Sequence, residues 1–135
     1  METEDSHNTA VVVADNQETV LQAVSTTLGK AGFTILAASS GAQALQYCRD
    51  SRHPVQLAII DAATAGINVP ELVGQLDMIS PGVRTLFLTD DLEEQSLRGM
   101  AASGRVRCFL HKPFRRAQLL GQVLEMMDRP LALTA

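Results

Sequence analysis

Four places in the chain put reactive side chains directly behind an apolar run. Asp15 and Asn16 follow Val11-Val12-Val13-Ala14, and Asp61 follows Leu57-Ala58-Ile59-Ile60. Thr89 and Asp90 follow the stretch from Val83 to Leu88, and Lys112-Pro113 follow that from Val106 to His111. Singly, each has a plainer role: Asp15, Asn16 or Thr89 as a helix cap, Asp61 as a turn former, Lys112 as a solvated lysine. Together they would surround one crevice with carboxylates, a hydroxyl and an ammonium. That set suits a hard cation and an anion that it bridges.

Gathering these residues requires that the apolar runs be neighbouring strands. Val11–Ala14 and Leu57–Ile60 are continuously apolar, as strands buried on both faces are, and Phe33–Ala37 is a weaker third. Helical spacing fills the gaps. Val20, Val24 and Leu28 recur every four residues before a stop at Gly32, and Ser40-Gly41 opens a segment carrying Ala44, Leu45 and Cys48. Pro70 suits a first turn ahead of Leu72, Val73, Leu76 and Ile79. Leu92–Ala102 reads as a polar helix with Leu97, Met100 and Ala101 turned inward. A last helix, about 115–128, is expected to bury Leu119, Leu120, Val123, Leu124 and Met127. Five strands alternating with five helices imply a doubly wound α/β fold, a parallel sheet with helices on both faces, because parallel neighbours need right-handed crossovers. Ligands of such sheets sit at the carboxyl ends of the strands, where the reactive residues fall.

The 135 residues make one domain on a prior of roughly 100–200 residues per domain. We expect it to span 9–128, between a polar, acidic tail (1–8) and a C-terminal tail (129–135). With 46% apolar and 19% charged residues the composition is globular. A formal net charge of −4 gives no footprint for direct nucleic-acid binding. The apolar runs fall far short of the ~20 residues of a membrane span. Two cysteines and an acidic amino terminus, unlike a signal peptide, fit a reducing cytoplasm.

These motifs resemble the receiver domain of two-component response regulators, over essentially residues 9–128. Val11–Gln17 looks like the family's first strand with its acidic pair, Ala31–Leu45 like the second strand and helix, and Leu57–Asp61 like the phosphoacceptor strand. Thr85–Thr89 and Cys108–Phe114 match the threonine strand and the Lys-Pro-Phe ending. The resemblance implies a flavodoxin-like strand order, 2-1-3-4-5. It makes Asp61 the nucleophile that takes a phosphoryl group from a phosphohistidine, on a sensor histidine kinase or a histidine phosphotransfer protein. Asp15, Asn16 and Asp61 would hold Mg²⁺, Lys112 would pair with a phosphoryl oxygen, and Thr89 would bond another and report it. Phe109 would be the aromatic that moves with Thr89, and the Lys112–Pro113 bond would be cis. A population shift of the far face would then switch partner binding, the downstream target being unspecified.

The match has departures. Val20 and Val24, five and nine residues beyond Asp15, fix the register of the acidic pair, so Asn16 replaces the acid that in the family usually binds the metal directly. An amide oxygen still ligates Mg²⁺ but brings no charge, which implies weaker metal binding and slower phosphorylation. Asp90 stands where the family favours a small residue; inward it would repel a phosphoryl group, or offset the charge lost at Asn16. Ala65 and Val69 replace a usual proline and glycine, Ser103–Arg107 is one residue longer than the family's usual turn, and Phe109 lacks a hydroxyl. The main rival is a degenerate receiver that binds a partner without phosphorylation, through Glu93, Glu94 and Arg98 with Arg115 and Arg116. The plainer reading of those charges is a solvated face. A zinc site among Cys48, His53, Cys108 and His111 fails on spacing. A flavodoxin would want aromatic rings where this chain has no Trp and one Tyr. An aspartyl phosphatase would want an acid at Ala63, and the glycine-rich phosphate-cradling motifs are absent. With no output domain in 135 residues, the chain reads as a stand-alone receiver or a segment of a hybrid protein.

Overall fold

Three valines in succession leave a strand no solvent face, so the first strand must lie inside a sheet, and all five of its residues are buried. The structure is a computed structural model and describes residues 9–50, 55–64, 69–90 and 108–128. In chain order the elements are β1 (Ala10–Ala14), α1 (Glu18–Lys30), β2 (Thr34–Ala38), α2 (Gly41–Asp50), β3 (Val55–Asp61), a 3₁₀ turn (Ala62–Thr64), α3 (Val69–Ile79), β4 (Arg84–Thr89), β5 (Cys108–His111) and α4 (Arg116–Asp128). The strands form one five-stranded sheet in the order β2-β1-β3-β4-β5, every pair parallel. This is the doubly wound α/β arrangement expected from the alternation of strands and helices, in the flavodoxin-like strand order that the resemblance implies.

Alternating side chains along each strand feed two cores. Val12, Ala58, Ile60 and Phe87 point to the face covered by α2 (Ala44, Leu45, Cys48) and α3 (Leu72, Val73, Leu76). Val11, Val13, Ile59, Leu86 and Leu88 point to the face covered by α1 (Val24, Leu28) and α4 (Leu119, Val123, Met126). An irregularity between Ala10 and Val11, which pair with Val55 and Leu57, explains why Val55 and Leu57 fall on opposite faces despite being two apart. Helix α1 stops as expected at Gly32, whose φ of 104° suits a residue without Cβ. There the Gly32 N–H donates to the Gly29 carbonyl and the Phe33 N–H to that of Leu28, the paired closure of a Schellman motif.

The last helix corrects one expectation. Leu124 is 43% exposed, and Met126 takes its place in the core beside Leu119 and Val123. At about 100° per residue, positions 119, 123 and 126 share a stripe about 60° wide, whereas 124 lies about 140° from Leu119. The start is local: the Arg115 N–H donates to Gln118 Oε1 at 2.7 Å, half of a capping box. The helix expected over Leu92–Ala102, residues 103–107, and the tails 1–8 and 129–135 lie outside the described residues. Among the described residues no helix is long and apolar enough to cross a membrane.

Candidate functional site

Register brings the two acids together. Ala14 of β1 pairs with Ile60 of β3, so the next residue of each strand, Asp15 and Asp61, emerges side by side at the carboxyl edge of the sheet. Thr89 closes β4 opposite His111 of β5, which puts Lys112 one step beyond that edge, its backbone N–H donating to the Thr89 carbonyl at 2.8 Å. From there the four-carbon stem of Lys112 crosses the end of β4. Its ammonium lies 2.8 Å from Asp61 Oδ1 and 2.9 Å from Asp15 Oδ2. The Lys112–Pro113 peptide is cis.

Burial makes this trio electrostatically significant. Asp15 and Asp61 are only 1% and 5% exposed, so a cation beside them offsets part of the cost of keeping two carboxylates from water. Burial by itself pushes the Lys112 ammonium down from the ordinary lysine value. Hydrogen bonds to Asp61 and Asp15, with their negative charges, outweigh that and hold it above. Lys112 therefore stays charged at neutral pH. Asp15 is held from its other oxygen too, since Oδ1 accepts the Gln17 N–H at 2.8 Å.

The remaining expected residues fall around this trio. Thr89 is fully buried, and among the described residues its Oγ1 has no hydrogen-bond partner. Phe109 is partly buried and packs on the same core face as Phe87, its register partner; Thr89, two residues beyond Phe87, has the same parity. Asn16 is exposed beside Asp15, and Asp90 is likewise exposed. Of the residues raised for a zinc site, Cys48 belongs to one core and Cys108 packs against the other, on opposite faces of the sheet. The charged surface expected around Glu93, Glu94 and Arg98 lies outside the described residues.

One residue of the site was not foreseen. Gln17 Oε1 accepts a hydrogen bond from Lys112 Nζ at 3.2 Å. Gln17 also occupies the N-cap position of α1, yet its side chain makes no capping bond. A glutamine where Ser, Thr, Asp or Asn would cap was the available signal. From Gln17 and Lys112 an open groove of about 470 Å³ runs along Thr19, Val20 and Ala23 to Phe114.

The donor set fits Mg²⁺. Among the described residues no group of three or more His, Cys, Asp or Glu could hold a metal, which disfavours an all-protein cage. Mg²⁺, however, keeps several waters and commonly takes only one or two carboxylates plus substrate phosphate oxygens. Asp15 and Asp61 supply two carboxylates, and Asn16 an exposed amide beside them.

Comparison with known proteins agrees with this architecture. The family model described as response regulator receiver domain matches residues 11–124. Sensor kinase CckA of Brucella abortus is 25% identical over 124 residues, which are 92% of this chain and 13% of that protein; the chain thus spans about an eighth of its relative. Among solved structures, chemotaxis response regulator CheY4 of Vibrio cholerae is 26% identical with a TM-score of 0.74, covering 87% of this chain and 98% of that one. A response regulator from Thermotoga maritima shares the fold with a TM-score of 0.76 at 21% identity, covering 90% of this chain and 99% of that one.

Proposed function

The chain belongs to the response regulator receiver domain family, and from that premise we propose that it accepts a phosphoryl group on Asp61. The observation that carries this reading is the shared ammonium. Lys112 Nζ holds Asp15 and Asp61 together at 2.9 and 2.8 Å, at the strand ends where this fold binds its ligands. In the proposed step a carboxylate oxygen of Asp61 attacks phosphorus, the P–N bond to a donor imidazole breaks, and the imidazole leaves with the electron pair and takes up a proton. The product is an acyl phosphate. Water returns it to the carboxylate and inorganic phosphate.

Each neighbour has a task in that step. Lys112 pairs as a point charge with a phosphoryl oxygen. The unpartnered Thr89 hydroxyl donates to another, and its satisfaction is the signal that Phe109, on the same face, would follow into the core. Asp15, Asn16 and Asp61 would hold Mg²⁺, which supplies positive charge against the phosphoryl oxygens. Asp90, exposed to solvent, adds only a screened repulsion. The phosphoryl donor is a sensor histidine kinase or a histidine phosphotransfer protein, a pairing supported by the likeness to a sensor kinase segment.

The test is labelling with radioactive acetyl phosphate, with and without Mg²⁺. The wild-type protein is expected to take up label only with Mg²⁺, and Asp61→Asn to take up none. Equal labelling of the two proteins would remove Asp61 from its role. No labelling of either would leave a receiver that binds its partner without phosphorylation.

A further inference from the structure

Strand β2 is an edge of the sheet, with β1 on one side and, among the described residues, no strand on the other. Its backbone groups alternate in direction. The Thr34 N–H donates to the Thr9 carbonyl and the Ala38 carbonyl accepts the Asp15 N–H, so residues 34, 36 and 38 turn both backbone groups toward β1. Ile35 and Ala37 therefore turn theirs outward. Just beyond them the chain satisfies its own donors: the Phe33 N–H donates to the Leu28 carbonyl, and the Ser39 N–H to Gln43 Oε1 at 2.8 Å. Between these two closures lies a window of N–H and C=O groups on Ile35 and Ala37. Proteins usually blunt such an edge with a charge, a proline or a bulge, and Thr34–Ala38 has none of these. The opposite edge, β5, runs into His111-Lys112-Pro113.

This window is complementary to itself. Two copies of β2 laid antiparallel about a twofold axis beside Leu36 put Ile35 opposite Ala37 of the second copy, and Ala37 opposite its Ile35. Each such pair exchanges both backbone bonds, as hydrogen-bonded pairs of antiparallel strands do, so every donor in the window meets an acceptor. The side chains agree with that register. Ile35, half-buried on the α1 face, would lie beside the small, exposed Ala37, and Leu36 on the α2 face would lie beside its own copy. Charge selects a second copy as the occupant. Each chain carries a formal −4, so a surface that meets itself has to be free of like charge, and no residue between Lys30 and Arg49 is charged. That neutral stretch takes in all of β2 and α2 as far as Cys48. We propose that β2 is a self-association edge, through which two chains form a twofold dimer with one continuous sheet. The pairing is independent of the phosphoacceptor reading.

The test is sedimentation equilibrium of the full chain at concentrations up to millimolar, with folding checked by circular dichroism. Wild type is expected to pass from monomer to dimer. Ala37→Pro suits an edge position whose N–H faces solvent, and it deletes that donor from both copies, so the dimer should weaken about thirtyfold, the worth of two hydrogen bonds. Ala37→Lys sets a like charge from each copy at the seam and should leave a monomer throughout. Met78→Lys, a charge placed on α3 where the side chain is 83% exposed, should dimerise as wild type does. Hydrogen exchange gives a readout that needs no variant. The Ile35 and Ala37 amides should exchange more slowly as wild type is concentrated, while the Leu36 amide, turned toward β1, should not change. A wild type that stays monomeric overturns the proposal. So does a dimer that both Ala37 variants form as readily, or one in which the Ile35 and Ala37 amides exchange at a rate independent of concentration.

Discussion

The Lys112 ammonium meets the Asp61 carboxylate at 2.8 Å across the end of β4. With Asp15 at 2.9 Å from the same nitrogen, one cation serves two nearly buried anions. Removing that cation is therefore costly. Lys112→Met should lower stability by about 2 kcal/mol, below the range for fully buried pairs because the lysine side chain keeps 20% of its surface in solvent. Asp61→Asn, which leaves the Lys112–Asp15 pair neutral, should cost under about 1 kcal/mol or stabilise. Urea denaturation of the two variants against wild type measures both, and a larger loss in Asp61→Asn than in Lys112→Met would contradict this balance.

The same ion pairs set a pH dependence. Folding holds the Lys112 ammonium above its ordinary value of 10.5. In the interval above that value the folded state keeps a proton that the unfolded chain has released, so stability falls as pH rises. The contribution is fully present below the ordinary lysine value and is lost as pH passes through the raised one. The gap in urea midpoint between wild type and Lys112→Met should be constant from neutral pH to about pH 10 and close above it. A gap that closed below pH 9 would contradict the assignment.

Thr89 carries a buried hydroxyl with no partner among the described residues, an arrangement that costs free energy in the unmodified protein. Thr89→Val keeps the shape and removes the hydroxyl, so its melting temperature should equal or exceed that of wild type. Its affinity for beryllofluoride with Mg²⁺ should fall about tenfold, the worth of a hydrogen bond to a charged group. Loss of stability without loss of affinity would make the hydroxyl structural.

Asn16 supplies an amide where a third carboxylate would strengthen the proposed cation site. Asn16→Asp should tighten Mg²⁺ binding about thirtyfold, since one more unit of negative charge about 4 Å from a divalent ion is worth about 2 kcal/mol even at the dielectric of water. Titration of backbone amide resonances with Mg²⁺ reads the change. An unchanged midpoint would mean that residue 16 does not face the ion.

Much of this was legible because the residues involved announce themselves. The apolar runs of β1 and β3 and the four-residue spacing of Val20, Val24 and Leu28 specify elements through burial alone. Asp15, Asp61, Thr89 and Lys112 could be singled out because each closes or follows a run. What could not be read was anything that depends on two distant segments meeting: the three-way bonding of Lys112, the orphaned hydroxyl of Thr89, and the side chain of Gln17 turning from its helix toward a lysine. The mistaken inward placing of Leu124 has a local cause. Apolar residues at 119, 120, 123, 124, 126 and 127 allow two overlapping stripes on α4, and only packing against the sheet chooses between them.

The central claim is that Asp61 accepts a phosphoryl group inside a pocket assembled with a cation, Thr89 and Lys112. Its most direct test is an NMR titration of the unmodified protein with beryllofluoride, with and without Mg²⁺, repeated on Asp61→Asn. Resonances of residues 61, 89 and 112 should move together and saturate only when Mg²⁺ is present, and should stay still in Asp61→Asn. Absence of any movement in wild type, or the same movement in Asp61→Asn, would contradict it.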